Sequence, residues 1–430
     1  MTAEQPSPGP ANSPQERTVL FDHDGGVDDL LSLMMALAMP HLKLAGVVVT
    51  PADCFLGPAV SATRKILRFF GRSDIEVSQG NLYGVNHFPR AWRAHPYAVD
   101  AFPILNELKP TLDQAPRSGQ APGSIRPKSP QEILSLAGQP PTWTRGAIEA
   151  LKERIRNELR AALDPDLELL PAGEARRILQ EQYDRILAQE NIILSRTERS
   201  RLFEGLAAEF FNAGEKELPK LVAESGHEFL ARKLHEATEP VTILITGPVS
   251  NLAATLTAEP ELASKIEEVV WMGGALQVQG NVRDYEHDGS AEWNAYWDPP
   301  GTHRLWQSKA PLTLFPLDAT NQVQVTRAFL HRLAQQRQYP LSDLAGQCWA
   351  LTVGTIPAYE YKYHMWDTLT TGYLGAPQFI TFRETRTLAI PTGPGAGQIK
   401  EVSQGGKLTR VADKVDVKGF LNYILELFRR

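Results

Sequence analysis

Four carboxylates crowd one short stretch of this chain. Asp22, Asp24, Asp28 and Asp29 fall within eight positions of the segment TVLFDHDGGVDDL, residues 18–30. Negative charges that close repel one another, and a hard cation relieves the repulsion, because Ca²⁺ and Mg²⁺ take oxygen ligands. A capped Asp/Gly turn is the plainer reading. The calcium loop of EF-hands is excluded, because Gly26 stands where its third Asp belongs.

The flanking residues predict how the cluster is held. Val19-Leu20-Phe21 reads as a buried strand and LLSLMMALAM, residues 30–39, as a buried helix. Asp28 and Asp29 then lie at a helix N-terminus, where the macrodipole favours negative charge. Leu42 to Thr50 is a second strand, ending in a turn that carries Asp53. Gly57 to Phe70 is a helix and Ile75-Glu76-Val77 a short strand. This alternation predicts an α/β fold: an open, mostly parallel sheet with helices on both faces. Ligands of such sheets sit at the carboxyl ends of the strands, where the Asp cluster falls.

The chain has 430 residues with 42% hydrophobic content, enough for a substantial core. A net charge of −6 argues against nucleic acid as a partner. Cys54 and Cys348 make no disulfide framework, and no apolar run reaches membrane-spanning length. The Pro-rich, polar residues 1–17 read as a disordered tail without signal-peptide character, so a soluble, cytoplasmic protein is expected. Residues 110–221 look different from their surroundings. Pro110 to Pro141 reads as linker, and Thr144 to Leu163 and Glu174 to Gln189 have helical spacing. Ser195 to Glu198 forms a capping box ahead of a helix through Phe211. The expected organisation is therefore an α/β domain at 18–109 and 222–430, interrupted by a mostly helical insertion at 110–221. A solvated helical subdomain, an oligomer contact and a lid are its three readings.

Further motifs lie outside the insertion. Asn86 to Leu108 reads as irregular, with Pro and aromatics interleaved and Trp92 as packing anchor or ligand contact. Val241 to Thr246 is a strand ending in TGPVSNLA, with a helix from about Asn251. Val269 opens a strand ending in Met272-Gly273-Gly274. Gly280-Asn281-Val282 and Ala291-Glu292-Trp293-Asn294 follow, then a strand at Leu312 to Pro316 with Asp318 beyond its end. Asp367 begins a helix, with an N-cap as its plain role. After Thr385 come edge strands, and Val417 opens a terminal helix.

FDHDGG resembles the first motif of haloacid-dehalogenase-like phosphatases, although that motif usually continues with Thr and not with V-D-D. The whole stretch Asp22-His23-Asp24-Gly25-Gly26-Val27-Asp28-Asp29 resembles the N-terminal signature of the inosine/uridine-preferring nucleoside hydrolases, with Gly25 where Pro is usual. TGPVSNLA, M-G-G, G-N-V and A-E-W-N resemble that family's later motifs, in order. The resemblance implies a Ca²⁺ ion held by Asp24, Asp29, Asp367 and the Thr246 carbonyl. It implies ribose contacts from Asp28, Asp53 and Asn294, 5′-hydroxyl contacts from Asn281 and Glu292, and substrate contacts from Met272 and Trp293. Trp92 stands in a segment like the FP-x-x-WR of purine-specific members, whose Trp stacks on the base. Trp366 stands where pyrimidine-accepting members carry His, as in the purine-specific (inosine-adenosine-guanosine) branch. Gly26 replaces the Asn of that branch.

The implied activity is Ca²⁺-dependent hydrolysis of the N-glycosidic bond of purine ribonucleosides to free base and ribose. Such cleavage passes through a cation-like sugar. Asp24 is the expected base for a water held by the cation. Trp366 is expected to aid catalysis and, with Trp92, to sandwich the base, since a π-face stabilises a base gaining positive charge. A small-molecule ribonucleoside is the expected partner, with no nucleic acid and no membrane, in a homo-oligomer (dimer or tetramer). A Mg²⁺-dependent phosphatase and a catalytically silent Ca²⁺-containing nucleoside-binding protein are the alternatives.

Overall fold

The computed structural model describes residues 16–82, 88, 90–106, 218–355 and 362–430, together with the helix Ala172–Gln189 and scattered positions between 152 and 206. Most of the Pro-rich start, the 110–141 linker, most of the helix at 144–163 and the capping box at 195–198 lie outside the described residues.

Ten strands among the described residues form one sheet. They are β1 (Arg17–His23), β2 (Leu42–Val49), β3 (Val77–Gln79), β4 (Leu221–Ser225), β5 (Val241–Ile245), β6 (Ile266–Met272), β7 (Leu312–Phe315), β8 (Ile380–Ala389), β9 (Ile399–Glu401) and β10 (Lys407–Val415). Their order is β4-β3-β2-β1-β5-β6-β7-β10-β8-β9. Pairing is parallel from β4 through to β10 and antiparallel only where β8 meets β10 and β9. The chain therefore builds outward from β1 to β4, then returns to the other side of β1 with β5. The open crevice of a doubly wound sheet lies at that reversal. Asp22 of β1 sits there, opposite Val48 of β2 and Ile245 of β5.

Alternate residues of each central strand pack on opposite faces, as a two-sided sheet requires. Val19, Phe21, Val47, Val49 and Val270 join one apolar cluster. Leu20, Val48, Ile243, Ile245 and Val269 join the other. A helix at Val27–Ala38, buried along nearly its whole length, follows β1 and packs against a helix at Trp366–Gly372. That contact carries residues from near the end of the chain to the Asp cluster. No described helix is long and apolar enough to cross a membrane.

Several sequence expectations shift. The third strand is Val77–Gln79 rather than 75–77: Ile75 is buried, but ladder pairing with β2 starts at Val77. Within the stretch expected to be irregular, the described residues form short helices, at Arg90–Arg93 and His95–Asp100, before a 3₁₀ turn at Pro103–Asn106. The strands after Thr385 begin earlier, at Ile380, and β10 is interior, between β7 and β8. Leu221 opens β4 and belongs to the sheet. β4 went unread because its burial alternates weakly along an exposed edge.

Candidate active site

Asp24, Gly25 and Gly26 form the turn between β1 and the buried helix. Gly25 has φ +80°, which the fixed negative φ of Pro cannot reach. A Cβ there would also stand 2.6 Å from Ala59 Cβ. Gly26 caps the helix. A Cβ on it would collide with the Asp53 carboxylate and lie 2.9 Å from Asp29 Oδ2, so Asp53 fills the space a side chain would take. The Gly26 N–H donates to Asp29 Oδ2 at 2.8 Å, which fixes the Asp29 carboxylate at the helix start.

The first Asp of the motif does something else. Asp22 is buried behind the site and accepts from Thr50 Oγ1 at 3.1 Å and Asn251 Nδ2 at 3.0 Å. It ties β1 to the end of β2 and to the helix after β5. Burial pushes its carboxyl up to about 7, against the pull of those two bonds. His23 is also enclosed. It accepts the Gly25 N–H at Nδ1, faces Thr63 Oγ1 at Nε2, and burial pushes it down to about 3, so it is neutral.

Beyond the turn lies a cavity of about 370 Å³. Carboxylates form one wall. Oxygens of Asp24, Asp29 and Asp53 lie within 4.8 Å of one another, as do those of Asp28, Asp29 and Asp367, so Asp29 joins the two sets. Burial and then the charge of Asp29 push Asp24 well above the usual carboxylate range. Burial and then the charge of Asp29 push Asp53 well up, against the pull of Arg93, and burial and then the charge of Asp28 do the same to Asp367. Asp29 is raised by burial to about 7. Thr246 donates its hydroxyl to Asp29 Oδ1, and its carbonyl accepts from Asn294 Nδ2 at 2.8 Å. Tyr363 Oη donates to Asp28 Oδ1 at 2.6 Å, while the buried Oδ2 of Asp28 has no partner. Asp367 could share a proton with that oxygen, and a divalent cation would serve both with the carboxylates ionised. An all-oxygen donor set, crowded carboxylates and an orphaned buried oxygen fit a hard divalent cation.

The other wall is amide and aromatic. Asn294 gives its N–H groups to the carbonyls of Thr246 and Met272, leaving its oxygen available to a ligand. Glu292 caps the short helix Trp293–Trp297, accepting from the N–H groups of Gly274 and Asn294 at 3.0 and 2.9 Å. Burial raises it to about 7 in spite of those bonds. Asn281 Oδ1 accepts the Trp293 N–H at 3.1 Å. Trp92, on the helix Arg90–Arg93, meets Phe88 edge-on with centroids 5.7 Å apart. Trp366 packs on Met272, Ala275 and Leu317 and donates Nε1–H to Asn321 Oδ1 at 3.0 Å.

The structure thus brings to one cavity the residues expected to hold a metal, Asp24, Asp29, Thr246 and Asp367, and with them Asp28, Asp53, Trp92, Met272, Asn281, Glu292, Trp293, Asn294 and Trp366, while Asp22 stays behind it. Asp367 is the second residue of its helix, so the N-cap reading fails; Met365 holds that position. Asp318 braces a loop, accepting the N–H groups of Leu276 and Gln277. Sequence reasoning missed Phe88, His95, Arg283, Trp297 and Tyr363, which also line the cavity. Two carried a signal: Trp297 follows Trp293 by one helical turn, and Tyr363 precedes Asp367 by four residues.

The model of the inosine-uridine preferring nucleoside hydrolases matches residues 19–422. The chain belongs to that family. Membership sets aside the haloacid-dehalogenase-like reading of FDHDGG. Among curated relatives, this nucleoside hydrolase family member is similar to the pyrimidine-specific ribonucleoside hydrolase RihA of Salmonella paratyphi B. The two are 33% identical over 161 residues, 37% of this chain and 46% of that protein. The RihA of Klebsiella pneumoniae is 39% identical over 108 residues, 25% of this chain and 33% of that one. The chain therefore matches less than half the length of these relatives. An inosine-uridine preferring nucleoside hydrolase from Bacillus anthracis has a similar structure, with TM-score 0.66, 29% identity, and 96% of this chain and 99% of that chain covered. A purine-preferring ribonucleoside hydrolase from Gardnerella vaginalis shares the fold, with TM-score 0.57 and 19% identity over 96% of this chain and 98% of that one.

Proposed function

We propose that this protein hydrolyses the N-glycosidic bond of ribonucleosides, with a preference for purines, releasing free base and ribose. The observation that carries the reading is the convergence of crowded carboxylates, amides and indoles on one cavity at the sheet's reversal point. Bound among Asp24, Asp29, Asp367 and the Thr246 carbonyl, Ca²⁺ would orient a water and the ribose diol and ease loss of a proton from that water. Asp24 takes that proton. Asp24 lies in the cavity with Asp29 and Asp53, within reach of a water held there, and a cation among them would keep it ionised and able to accept the proton. Asp28, Asp53 and the oxygen of Asn294 hold the ribose diol, and Asn281 and Glu292 face the 5′ end.

Trp366 has its only N–H committed to Asn321, so it offers the base a face and not a proton. With Trp92 it favours a leaving base that has gained positive charge, and a purine presents the larger face and an N7 to protonate. The similarity to pyrimidine-specific RihA points the other way, and it is the reason the panel below includes both classes. EDTA-stripped protein, with and without added Ca²⁺, is incubated with inosine, adenosine, guanosine, uridine and cytidine, and free base is measured. Ca²⁺-dependent base release, fastest from purines, is expected. Faster release from uridine or cytidine overturns the purine preference, and nucleoside binding without hydrolysis overturns the enzymatic reading in favour of a silent binding protein.

A further inference from the structure

We propose that the 5′ end of the pocket is built for an apolar substituent, so that 5′-deoxy-5′-alkylthio nucleosides are substrates at least as good as their 5′-hydroxy counterparts. This rests on the hydrolase reading above, in which Asn281 and Glu292 mark the 5′ end.

The first observation concerns what those two residues already bind. A site built to hydrogen-bond a substrate hydroxyl rejects the analogue lacking it by roughly 10⁴-fold or more, because its own buried polar groups are then left unpaired. Here they are not left unpaired. Glu292, which is buried, gives one carboxylate oxygen to the Asn294 N–H and the other to the N–H groups of Gly274 and Ala295. Asn281 Oδ1 is taken by the Trp293 N–H. Asn281 is only half-buried, so its amide N–H groups can turn to water. Loss of a 5′-hydroxyl therefore strands no buried acceptor.

The second observation concerns what stands beside them. The helix that Glu292 caps carries Trp293 and, one turn on, Trp297 into the cavity, with ring centroids 5.1 Å apart. Phe88 meets both edge-on, at 4.8 Å from Trp293 and 5.1 Å from Trp297, and meets Trp92 at 5.7 Å. A continuous aromatic wall thus runs from the base-stacking Trp92 to the 5′ end. Sulfur and methyl groups make favourable contacts with aromatic rings. One added methylene in such a pocket is worth roughly 10- to 200-fold in kcat/KM.

A 5′-phosphate does not fit the same surroundings. Arg283 lines the cavity, and its Nη1 donates to the carbonyls of Gly280 and Val282, which turns part of the guanidinium to its own loop. The buried carboxylate that marks this end, Glu292, lines the same cavity and opposes an anion.

The test compares adenosine, 5′-deoxyadenosine, 5′-methylthioadenosine and adenosine 5′-monophosphate by kcat/KM for base release, using the full chain with Ca²⁺. The corresponding uridine series is run alongside, so that a mistaken base preference does not hide the result. Expected are a methylthio substrate equal to or better than the parent nucleoside, a 5′-deoxy compound within about tenfold of it, and a poor 5′-phosphate. A loss of about 100-fold or more on removing the 5′-hydroxyl, or a preference for the 5′-phosphate, overturns the proposal. Trp297→Ala should lower the methylthio-to-hydroxyl ratio roughly tenfold, and an unchanged ratio overturns the role given to the aromatic wall. If no compound releases base, the hydrolase reading has failed. Calorimetric binding of the same series then decides the subsite: tighter binding of the methylthio compound supports it, and weaker binding overturns it.

Discussion

Tyr363 donates its hydroxyl to Oδ1 of Asp28 across 2.6 Å, although the two residues stand 335 positions apart in the chain. The bond leaves Asp28 with Oδ2 buried and unpartnered. If Asp28 contacts substrate as proposed, Tyr363 sets which of its oxygens is turned to the ligand. Hydrogen bonds to charged groups contribute about 1.5–3 kcal/mol. Tyr363→Phe should lower kcat/KM by roughly one to two powers of ten. If Tyr363 only positions Asp28, the loss appears mainly in KM. Steady-state kinetics on folded variant checks this, and wild-type KM and kcat would remove the role.

Asp24 is the residue whose loss should cost most. General bases contribute about 10²–10⁴-fold to rate. Asp24→Asn keeps the size of the side chain and an oxygen ligand, so it should fold and still bind Ca²⁺ by calorimetry while turnover falls by that factor. Asp24→Ala removes both functions and should lose activity and weaken Ca²⁺ binding. Near-wild-type turnover in Asp24→Asn would assign the base elsewhere.

Trp366 both lines the cavity and packs on Met272, Ala275 and Leu317. Base–aromatic stacking is worth on the order of 1–3 kcal/mol. Trp366→Ala should lower kcat for purine nucleosides accordingly, because stacking strengthens as the base becomes cationic. Activity is normalised to folded protein by circular dichroism. A variant that is less stable but fully active per folded molecule would mark Trp366 as packing alone.

The residues between β3 and β4 hold a private apolar cluster. Ile155, Leu159, Leu179, Tyr183, Ile186, Leu202, Phe203 and Leu206 bury one another apart from the clusters on the two faces of the sheet. Deleting residues 110–217 behind a Gly/Ser linker should leave a soluble protein that binds Ca²⁺. The cut stops short of Pro219 and Lys220, whose carbonyls accept from Arg64 Nε and from the Val77 N–H. Insoluble protein across several linker lengths would show that this segment completes the core or an oligomer contact.

Glu76 tests the sheet edge independently of the site. It pairs with Lys233 at 2.9 Å and Arg232 at 3.0 Å, and those cations, Lys233 first, hold its carboxyl down to about 2. A depressed carboxylate stabilises the fold above its unfolded value, near 4.5, and that stabilisation is lost as pH falls toward 2. Partly exposed pairs are worth up to about 1 kcal/mol. Glu76→Gln should therefore cost about that much in urea unfolding at pH 7, with the difference from wild type shrinking as the pH is lowered through this window. A difference that does not change between pH 7 and about pH 3 would contradict the ion-pair account.

Sequence alone showed the chemistry of the site better than its supports. Strand β1, its turn and the buried helix were legible because apolar runs flank polar residues so sharply there. Thr246, Asn281, Glu292 and Asp367 were found through motifs, since nothing local to a Thr or an Asn announces a cavity. Tyr363, Phe88 and Trp297 were missed for a physical reason: an aromatic residue looks the same in sequence whether its ring packs a core or faces a ligand. β4 was missed because a short edge strand with Glu224 and Ser225 lacks the β-branched run that marked β5. Gly25 and Gly26 read as departures from a pattern until the backbone angle at one and the Asp53 carboxylate at the other explained them.

The two sides of the Asp28–Tyr363 contact leave the ribosome at different times. At about 5–20 residues per second, the span of 335 residues between them takes roughly 20–70 s to synthesise. Until Tyr363 and Asp367 emerge, the nascent chain carries a half-built cluster of like charges that water, and not a buried wall, must accommodate. Closure of the pocket is therefore a late event in the life of each molecule, and a chain truncated before Tyr363 would display its carboxylates without the means to bury them.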